Sequence, residues 1–397
     1  MDLLVLDAIH GGRELAEALR EKGHSVDIVD VYRNGGDISS AEASVRSYDL
    51  AIAPIHLDPG HPLLKGLSIP CVSHHEAVRW ILGKDVPETV VEITGARGKT
   101  TTAHAVAHLM TGPGVLHTST GTYRYPEKTL LWRKSITPAS VIPAARKATE
   151  IGGWLIAEIS LGFCGLGGIG IITSPDDYFV AAGTRSALSE KVRSASRCRH
   201  LLVVPGVVAR YTWTVRVEDA VHCEGSLCRY DLDGRTGSFS SPLLGFAAYQ
   251  TPLMLAAACG CLLNAEPSVL ERFPGVEGRM SVSRNVDRLI VDNSNSGTNT
   301  ATTLEAVEYI DKDLFTLVIG EEAHAVCEGF PTDEIIRTIV KAKPSRVVLV
   351  GNARTALVVK AVQEMGIPVS LEERFLEARE KALEYPGSIV LAVKMWR

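Results

Sequence analysis

The 397-residue chain carries 41 Lys and Arg against 46 Asp and Glu, a formal net charge of −5 with no basic block. Nothing in that balance favours a nucleic-acid partner. With 46% hydrophobic and 22% charged residues it reads as a globular protein of two or three domains, since 397 residues exceed one ordinary compact unit. The longest apolar stretches, such as Leu201 to Val208, fall well short of the roughly 20 residues a membrane helix needs. Acidic residues in the opening MDLLVLDAIHGG stand where an export signal would carry basic ones. A cytoplasmic protein without membrane or nucleic-acid contacts is expected, as a monomer or a homodimer. The eight cysteines, Cys71, Cys164, Cys198, Cys223, Cys228, Cys259, Cys261 and Cys327, form no CxxC pair and are expected as thiols. Cys259 and Cys261 lie in an Ala/Leu-rich helical run and read as small core residues.

Residues 1–84 form the first expected domain, an α/β substrate-binding unit of parallel-sheet type. LLVLD and SVDIVDV read as strands around a helical stretch from Glu14 to Glu21. YDLAIAPI and SIPCVSH add two more strands, and HEAVRWIL closes the unit as a helix. The polar segment from Gly83 to Glu88 is the linker candidate. The second domain, 85–274, opens at ETVVEITGARGKTTTAHAVAHLM and continues through the strands WLIAEIS, GIGIITS and HLLVVPG. Within 209–243 short polar strands and the Asp233-Gly234 turn signal a small β-insertion, and Phe246 to Leu263 is a long apolar helix. Pro274, Gly275 and Gly278 mark a second boundary, after which RLIVDN, LFTLVIG, RVVLVG and SIVLAVK alternate with helices in a third α/β domain, 275–397.

The strongest chemical signal is Gly95-Ala96-Arg97-Gly98-Lys99-Thr100-Thr101-Thr102, directly after an apolar strand and directly before a helix. Glycines let the backbone curl into a nest of N–H groups aimed at phosphate oxygens, and the following helix adds its positive end. Lys99 reaches the terminal phosphates and the Thr100 hydroxyl suits Mg2+. ATP and Mg2+ are therefore the expected cofactors. The loop has two residues between Gly95 and Gly98-Lys99, fewer than the common phosphate loop has.

GxxGKTT at the head of a central domain, behind a smaller α/β domain, resembles the muramyl (Mur) ligases and folylpolyglutamate synthetases. The resemblance runs from about Val90 to the C-terminus and implies three α/β domains, a central P-loop ATPase domain with flanking Rossmann-like ones. Ala157-Glu158-Ile159-Ser160 is similar to the family's E-x-S, whose glutamate holds Mg2+. Ile172-Thr173-Ser174-Pro175-Asp176-Asp177, followed by Ser189-Glu190-Lys191, resembles the family's metal-binding T-N-x-x-x-D-H and a downstream lysine often carboxylated by CO2. Here Asp177 replaces the histidine. By the same resemblance Thr100, Glu158, Asp177 and Lys191 form the metal set, and Lys99, Glu158 and Lys191 the catalytic set. Gly278-Arg279 and Asp292-Asn293-Ser294-Asn295-Ser296 look like the family's GR hinge and D-S-K-A-T-N segment. That implies phosphate contact by Arg279, ribose contact by Asp292 and substrate contact by Asn295 and Ser296, where the family's lysine is missing. Gly95, Ala96, Arg97, Gly98, Lys99, Thr100 and Thr101 complete the nucleotide set.

Such parts imply activation of a carboxylate as an acyl phosphate. The first domain lacks a dinucleotide fingerprint and opens with LLVLDAIHGG, in which His10, Gly11 and Gly12 sit at a strand end, the usual place for ligands in α/β folds. That start, the short first domain and the histidine-less Asp176-Asp177 resemble a methanogen branch of the family. Its members activate a propionate of a nickel tetrapyrrole seco acid and close a carbocyclic ring by carbon–carbon bond formation; the nickel belongs to the substrate. An amide ligase joining an amino acid to a nucleotide-sugar or pterin-type acid, and a non-catalytic ATP-binding regulator, remain as alternative readings.

Overall fold

The computed structural model describes residues 1–33, 35–285, 288–322, 329–351 and 356–395. Contacts divide the chain into two units, Met1–Phe273 and Pro274–Arg397.

The first unit opens with strands β1 (Asp2–Leu6), β2 (Ser25–Val29), β3 (Leu50–Ala53) and β4 (Cys71–Ser73), all parallel and ordered β2-β1-β3-β4. Leu3, Leu4, Val5 and Leu6 are all fully buried, as expected of a parallel strand covered on both faces. The connecting helices are α1 (Arg13–Glu21), α2 (Ser40–Val45), α3 (Pro62–Gly66) and α4 (His74–Leu82). α2 and α4 start on capping boxes, Ser39 with Glu42 and Ser73 with Glu76, which fix where each strand end turns into helix.

An eight-stranded sheet follows in the same unit, built from β5 (Val90–Thr94), β6 (Gly114–Thr118), β7 (Gly121–Tyr125), β8 (Thr129–Trp132), β9 (Trp154–Glu158), β10 (Ile169–Ile172), β13 (His200–Val203) and β14 (Thr214–Arg216). A two-stranded hairpin, β11 (Phe179–Val180) and β12 (Arg185–Ser186), stands apart from it. The sheet order is β14-β13-β10-β5-β9-β6-β7-β8. β5 thus lies between β9 and β10, and the chain passes from one side of it to the other. That is a topological switch point, where open α/β sheets bind ligands at the carboxyl ends of their strands. Helix α5 (Lys99–Leu109) follows β5, α6 (Val141–Glu150) precedes β9, and α7 (Ala187–Ser194) follows the hairpin. A short α8 (Val217–Ala220) leads into the insertion β15 (Val221–Glu224), β16 (Leu227–Leu232) and β17 (Arg235–Ser240), an antiparallel sheet of its own. Its last turn uses Asp233 and Gly234, both at positive φ (56° and 74°), the geometry of a tight hairpin turn. The apolar helix α9 (Ala247–Leu262) buries Cys259 and Cys261 completely. It runs so close to α5 that a Cβ on Gly260 would stand 2.9 Å from Leu109 Cδ1.

The cysteine expectation needs one correction. Cys223 and Cys228 face each other across β15 and β16 and are joined as a disulfide, because the antiparallel register makes them direct partners. Cys71, Cys164, Cys198, Cys259 and Cys261 are free thiols, and Cys327 lies outside the described residues.

The second unit is a six-stranded sheet with strands β18 (Ser281–Asn285), β19 (Arg288–Asp292), β20 (Phe315–Glu321), β21 (Arg346–Val350), β22 (Val369–Glu372) and β23 (Ser388–Lys394), ordered β18-β19-β23-β20-β21-β22. Only β18 runs antiparallel to its neighbour. Helices α10 (Thr300–Val307), α11 (Thr332–Ala342), α12 (Ala356–Glu364) and α13 (Phe375–Leu383) make the crossovers.

One buried charge in β5 shapes the first unit. Glu92 is 1% exposed, and its carboxylate accepts backbone N–H bonds from Cys164 (2.7 Å), Gly165 (3.2 Å) and Leu166 (2.9 Å). Burial pushes its carboxyl above the usual range, although those three donors pull it down. Glu92→Gln keeps one acceptor oxygen and turns an amide toward the remaining donors. A loss of about 1–3 kcal/mol is expected from leaving buried N–H groups unsatisfied, read as a lower urea midpoint. An unchanged midpoint would show that the 164–166 loop does not depend on this carboxylate.

Candidate functional site

The phosphate loop takes its shape from two glycines. Gly95 has φ +150° and Gly98 φ +82°, and a Cβ on Gly95 would stand 2.2 Å from Thr173 Oγ1. α5 starts directly after Gly98 with no side-chain cap, so the positive end of an eleven-residue helix adjoins the loop. The far wall comes from the segment after β10. The Thr173 hydroxyl lies 2.5 Å from Arg97 O and 3.2 Å from Thr94 O, and Ser174 Oγ accepts from Ala96 N (3.0 Å) and Arg97 N (3.4 Å). The Arg97 guanidinium pairs with Asp176 at 2.9 Å. Arg97 therefore belongs to the loop's scaffold, and its side chain is turned to Asp176.

Glu158 ends β9 opposite Ile93 of β5 and is 2% exposed. It accepts a 2.8 Å bond from the Thr100 hydroxyl and a 3.0 Å bond from Ser119 N. Lys99 Nζ lies 3.8 Å from its other oxygen and 3.5 Å from Ala96 O. Ser119 Oγ closes the ring at 3.0 Å from Thr100 Oγ1. Lys99, Thr100 and Glu158 are thus brought together, as an ammonium beside an all-oxygen donor group. Hard divalent cations such as Mg2+ take oxygen ligands, so this donor set fits one. Ser119, Thr173 and Ser174 carry no sequence signal of their own for this role. The first stands alone after β6, and the other two lie inside the motif at 172–177.

Lys191, on α7, is fully buried. Among the described residues its ammonium has no hydrogen-bond partner, and it sits 4.8 Å from the Tyr178 ring centroid. Burial, then the nearby charge of Lys99, pulls its pKa down to about 8, against the opposing pull of Asp177 and Asp176. Asp177 is exposed and already engaged. It accepts from Ser186 Oγ (2.6 Å), Leu188 N (2.9 Å) and Tyr178 N (2.8 Å), tying the hairpin to the start of α7. The Ser186 hydroxyl foremost, with those N–H groups, holds its carboxyl below the usual range.

At the end of β1, Asp7 is fully buried at φ +81° and receives His10 Nδ1 at 2.7 Å, with Ile9 N and His10 N on its other oxygen. Burial works to raise its carboxyl, but the bonds from His10 and Ile9 outweigh that and hold it low. The same bond raises the His10 imidazole above its ordinary value. His56 Nε2 lies 3.7 Å from Asp7, and Tyr32 stacks on the His56 ring at 5.7 Å. One donor atom each from Asp7, His10 and His56 falls within 4.8 Å of the others. The two glycines have packing reasons. A Cβ on Gly12 would stand 1.7 Å from Asp7 O, and one on Gly11 would stand 2.8 Å from Ala139 Cβ. Of the expected trio, only His10 has a side chain that faces solvent.

In the second unit, Gly278 (φ +72°) and Arg279 form a tight turn closed by Arg279 N on Val276 O (3.0 Å). Asn295 Nδ2 donates to Gly278 O at 2.8 Å, and its oxygen accepts Gly297 N at 2.8 Å. Where the family has a lysine, this side chain braces the turn that carries Arg279. Asp292 is buried and accepts Ser294 N at 2.9 Å. Ser296 is half-buried.

A family model described as coenzyme F430 synthetase CfbE, C-terminal domain, matches residues 282–395. The chain is 32% identical to the coenzyme F(430) synthetase of Methanosarcina acetivorans, covering 96% of each. It is 22% identical to the enzyme of that name from Methanocaldococcus jannaschii, covering 88% of this chain and 90% of the relative. Among solved structures, the UDP-N-acetylmuramoylalanyl-D-glutamyl-2,6-diaminopimelate–D-alanyl-D-alanyl ligase of Acinetobacter baumannii aligns with a TM-score of 0.56 over 96% of this chain and 94% of that one, at 13% identity, a likeness of fold. With the fold of the Mur ligases and a full-length relative at 32% identity, the chain belongs to the coenzyme F430 synthetase family.

Proposed function

We propose that this protein is an ATP-dependent ligase that activates one carboxylate of a nickel tetrapyrrole seco acid as an acyl phosphate and closes a carbocyclic ring onto it, releasing ADP and phosphate. The observation that carries the reading is the junction of Lys99, Thr100 and Glu158 at the end of β5 and β9, set in a chain of this family.

Lys99 and the first N–H groups of α5 neutralise the terminal phosphate while the substrate carboxylate attacks it. Phosphoryl transfer needs charge and alignment more than covalent help from the protein. Mg2+ held by Thr100 and Glu158, with Asp177 and a carboxylated Lys191 as further ligands, would supply charge neutralisation at the phosphates. Arg279 and Asp292 are assigned to the phosphates and ribose of ATP, an arginine fork suiting phosphate better than an ammonium. Attack by a carbon of the same molecule expels phosphate, and no second substrate has to be bound because the nucleophile's effective concentration is already high. His10, backed by Asp7, offers the macrocycle an imidazole. Such a reaction, drawing on ATP, fits the cytoplasm.

Phosphate release should therefore be stimulated by the nickel tetrapyrrole seco acid without any amino acid. Stimulation by an amino acid with a UDP-linked or pterin acid, and none by the tetrapyrrole, would make it an amide ligase. Lys99→Ala should abolish turnover with the fold intact, and Glu158→Gln should raise the Mg2+ needed for half-maximal rate, since an amide is a weaker ligand than a carboxylate. Wild-type turnover in the first, or an unmoved Mg2+ titration in the second, would contradict the assignment.

Lys191 gives a pH-dependent test. Its folded pKa of about 8 lies below the ordinary lysine value of 10.5, so the buried charge costs stability below pH 8 and that stability returns as pH rises from 8 toward 10.5. CO2 reacts with the neutral amine, so bicarbonate should raise the melting temperature of the wild type, more at pH 8.5 than at 7. Lys191→Met should lose activity and this response. At pH 7 it should be as stable as the wild type or more so, by about 1–3 kcal/mol, the cost of an unsatisfied buried donor. Full activity in the methionine variant would make Lys191 a packing residue.

A further inference from the structure

Between the carboxyl ends of β3 and β4 on one side and α7 with its following turn on the other, the first unit holds a cleft of about 680 Å3, within the size range of small-molecule sites. Four arginines line it, Arg79, Arg185, Arg193 and Arg197, against two glutamates, Glu76 and Glu190. Both glutamates are already engaged. Glu76 accepts Ser73 N and Ser73 Oγ, each at 2.8 Å, as the cap of α4, and Glu190 pairs with Arg193 one turn along α7. Arg185 donates to Ile55 O at 3.2 Å. The guanidinium groups of Arg79 and Arg197 make no hydrogen bond and no ion pair among the described residues. They nevertheless sit together, since a Cβ on Gly165 would lie 3.2 Å from Arg197 Cβ and 3.5 Å from Arg79 Nη1. Glu92, a buried carboxylate whose charge reaches Arg79, is spent on the N–H groups of 164–166. Burial first, then the charge of Arg197, pulls the Arg79 guanidinium below its usual value.

Two adjacent cations in a partly dehydrated cleft repel each other, and a bound anion reverses the sign of that interaction. Guanidinium forks match carboxylates in paired hydrogen bonds. We propose that Arg79 and Arg197 bind peripheral carboxylate side chains of a macrocyclic polycarboxylic acid, which makes this cleft the substrate's anchoring site. The proposal rests on the tetrapyrrole reading above. To the imidazole of His10, the one side chain of the His10-Gly11-Gly12 turn that faces solvent, it adds a pair of charges. α7 links the two places. Glu190, Arg193 and Ser194 line the cleft, while Lys191 on the same helix lies close enough to feel the charge of Lys99. A ligand anchored there is one helix away from the phosphate loop.

The test uses the full chain and an octacarboxylate porphyrin of the uroporphyrin type, followed by its fluorescence, with the neutral octaamide as control. The wild type should bind the acid and not the amide. Arg79→Gln and Arg197→Gln should each weaken binding about tenfold to a hundredfold, the range for charge-assisted hydrogen bonds, with affinity for a fluorescent ATP analogue unchanged. Arg197 is exposed, so its variant stays informative if Arg79→Gln misfolds. Equal porphyrin affinity in wild type and both variants would overturn the arginine assignment and leave the proposed reaction standing. The same holds if the wild type ignores the porphyrin acid while the nickel seco acid still stimulates ATP hydrolysis. Failure of the wild type to bind or respond to either acid would overturn both.

Discussion

One hydrogen bond joins the phosphate loop's helix to the end of the neighbouring strand. The Thr100 hydroxyl, in the first turn of α5, donates at 2.8 Å to Glu158 at the end of β9, a carboxylate that is 2% exposed. A buried carboxylate needs partners, because an ionised group without them costs several kcal/mol. Here Lys99 and Thr100 at the start of α5 and Ser119 in the turn after β6 supply them. Meeting the needs of Glu158 therefore fixes the start of α5, the turn after β6 and the ammonium of the phosphate loop at once. The groups proposed to meet phosphate and cation are placed by the same contact that stabilises the sheet end.

α7 is held in a corresponding way beside the cleft. Its first turn is tied to the β11–β12 hairpin through Asp177 and Ser186, it buries Lys191, and its outer face presents charged residues to the cleft beside β3 and β4. Among the described residues the Lys191 ammonium has no hydrogen-bond partner, and burial draws its pKa down to about 8. A helix of eight residues thus runs between the proposed site of phosphoryl transfer and the arginine-lined cleft.

The parts legible in the sequence were those with local patterns. Buried parallel strands announce themselves as unbroken apolar runs, and the glycines of the phosphate loop, the Asp233-Gly234 turn and the apolar helix at 247–262 all have short-range signatures. Glu158 was also legible, because a carboxylate closing an apolar strand beside such a loop has few other uses. What stayed hidden depends on long-range register. Ser119 and Glu92 are ordinary residues until β6 and β9, or the 164–166 loop, come alongside. The Cys223–Cys228 pairing follows from hairpin register, which the cysteine spacing alone did not reveal. Gly11 and Gly12 illustrate the opposite case. They stood out as a ligand turn, yet close backbone and side-chain contacts explain both. The arginine cleft was invisible for the same reason, since residues 79, 185, 193 and 197 come together only when the first sheet meets α7.

The most direct test of the central claim is oxygen transfer. With the substrate carboxylate labelled with heavy oxygen, attack on the terminal phosphate of ATP leaves a labelled oxygen bridging carbon and phosphorus. Departure of phosphate during ring closure carries that oxygen away. Mass spectrometry of the released phosphate should find one label per turnover, alongside a product lighter than the substrate by one water. Phosphate bearing no substrate oxygen would mean that ATP is hydrolysed by water at this site, and that no acyl phosphate is formed.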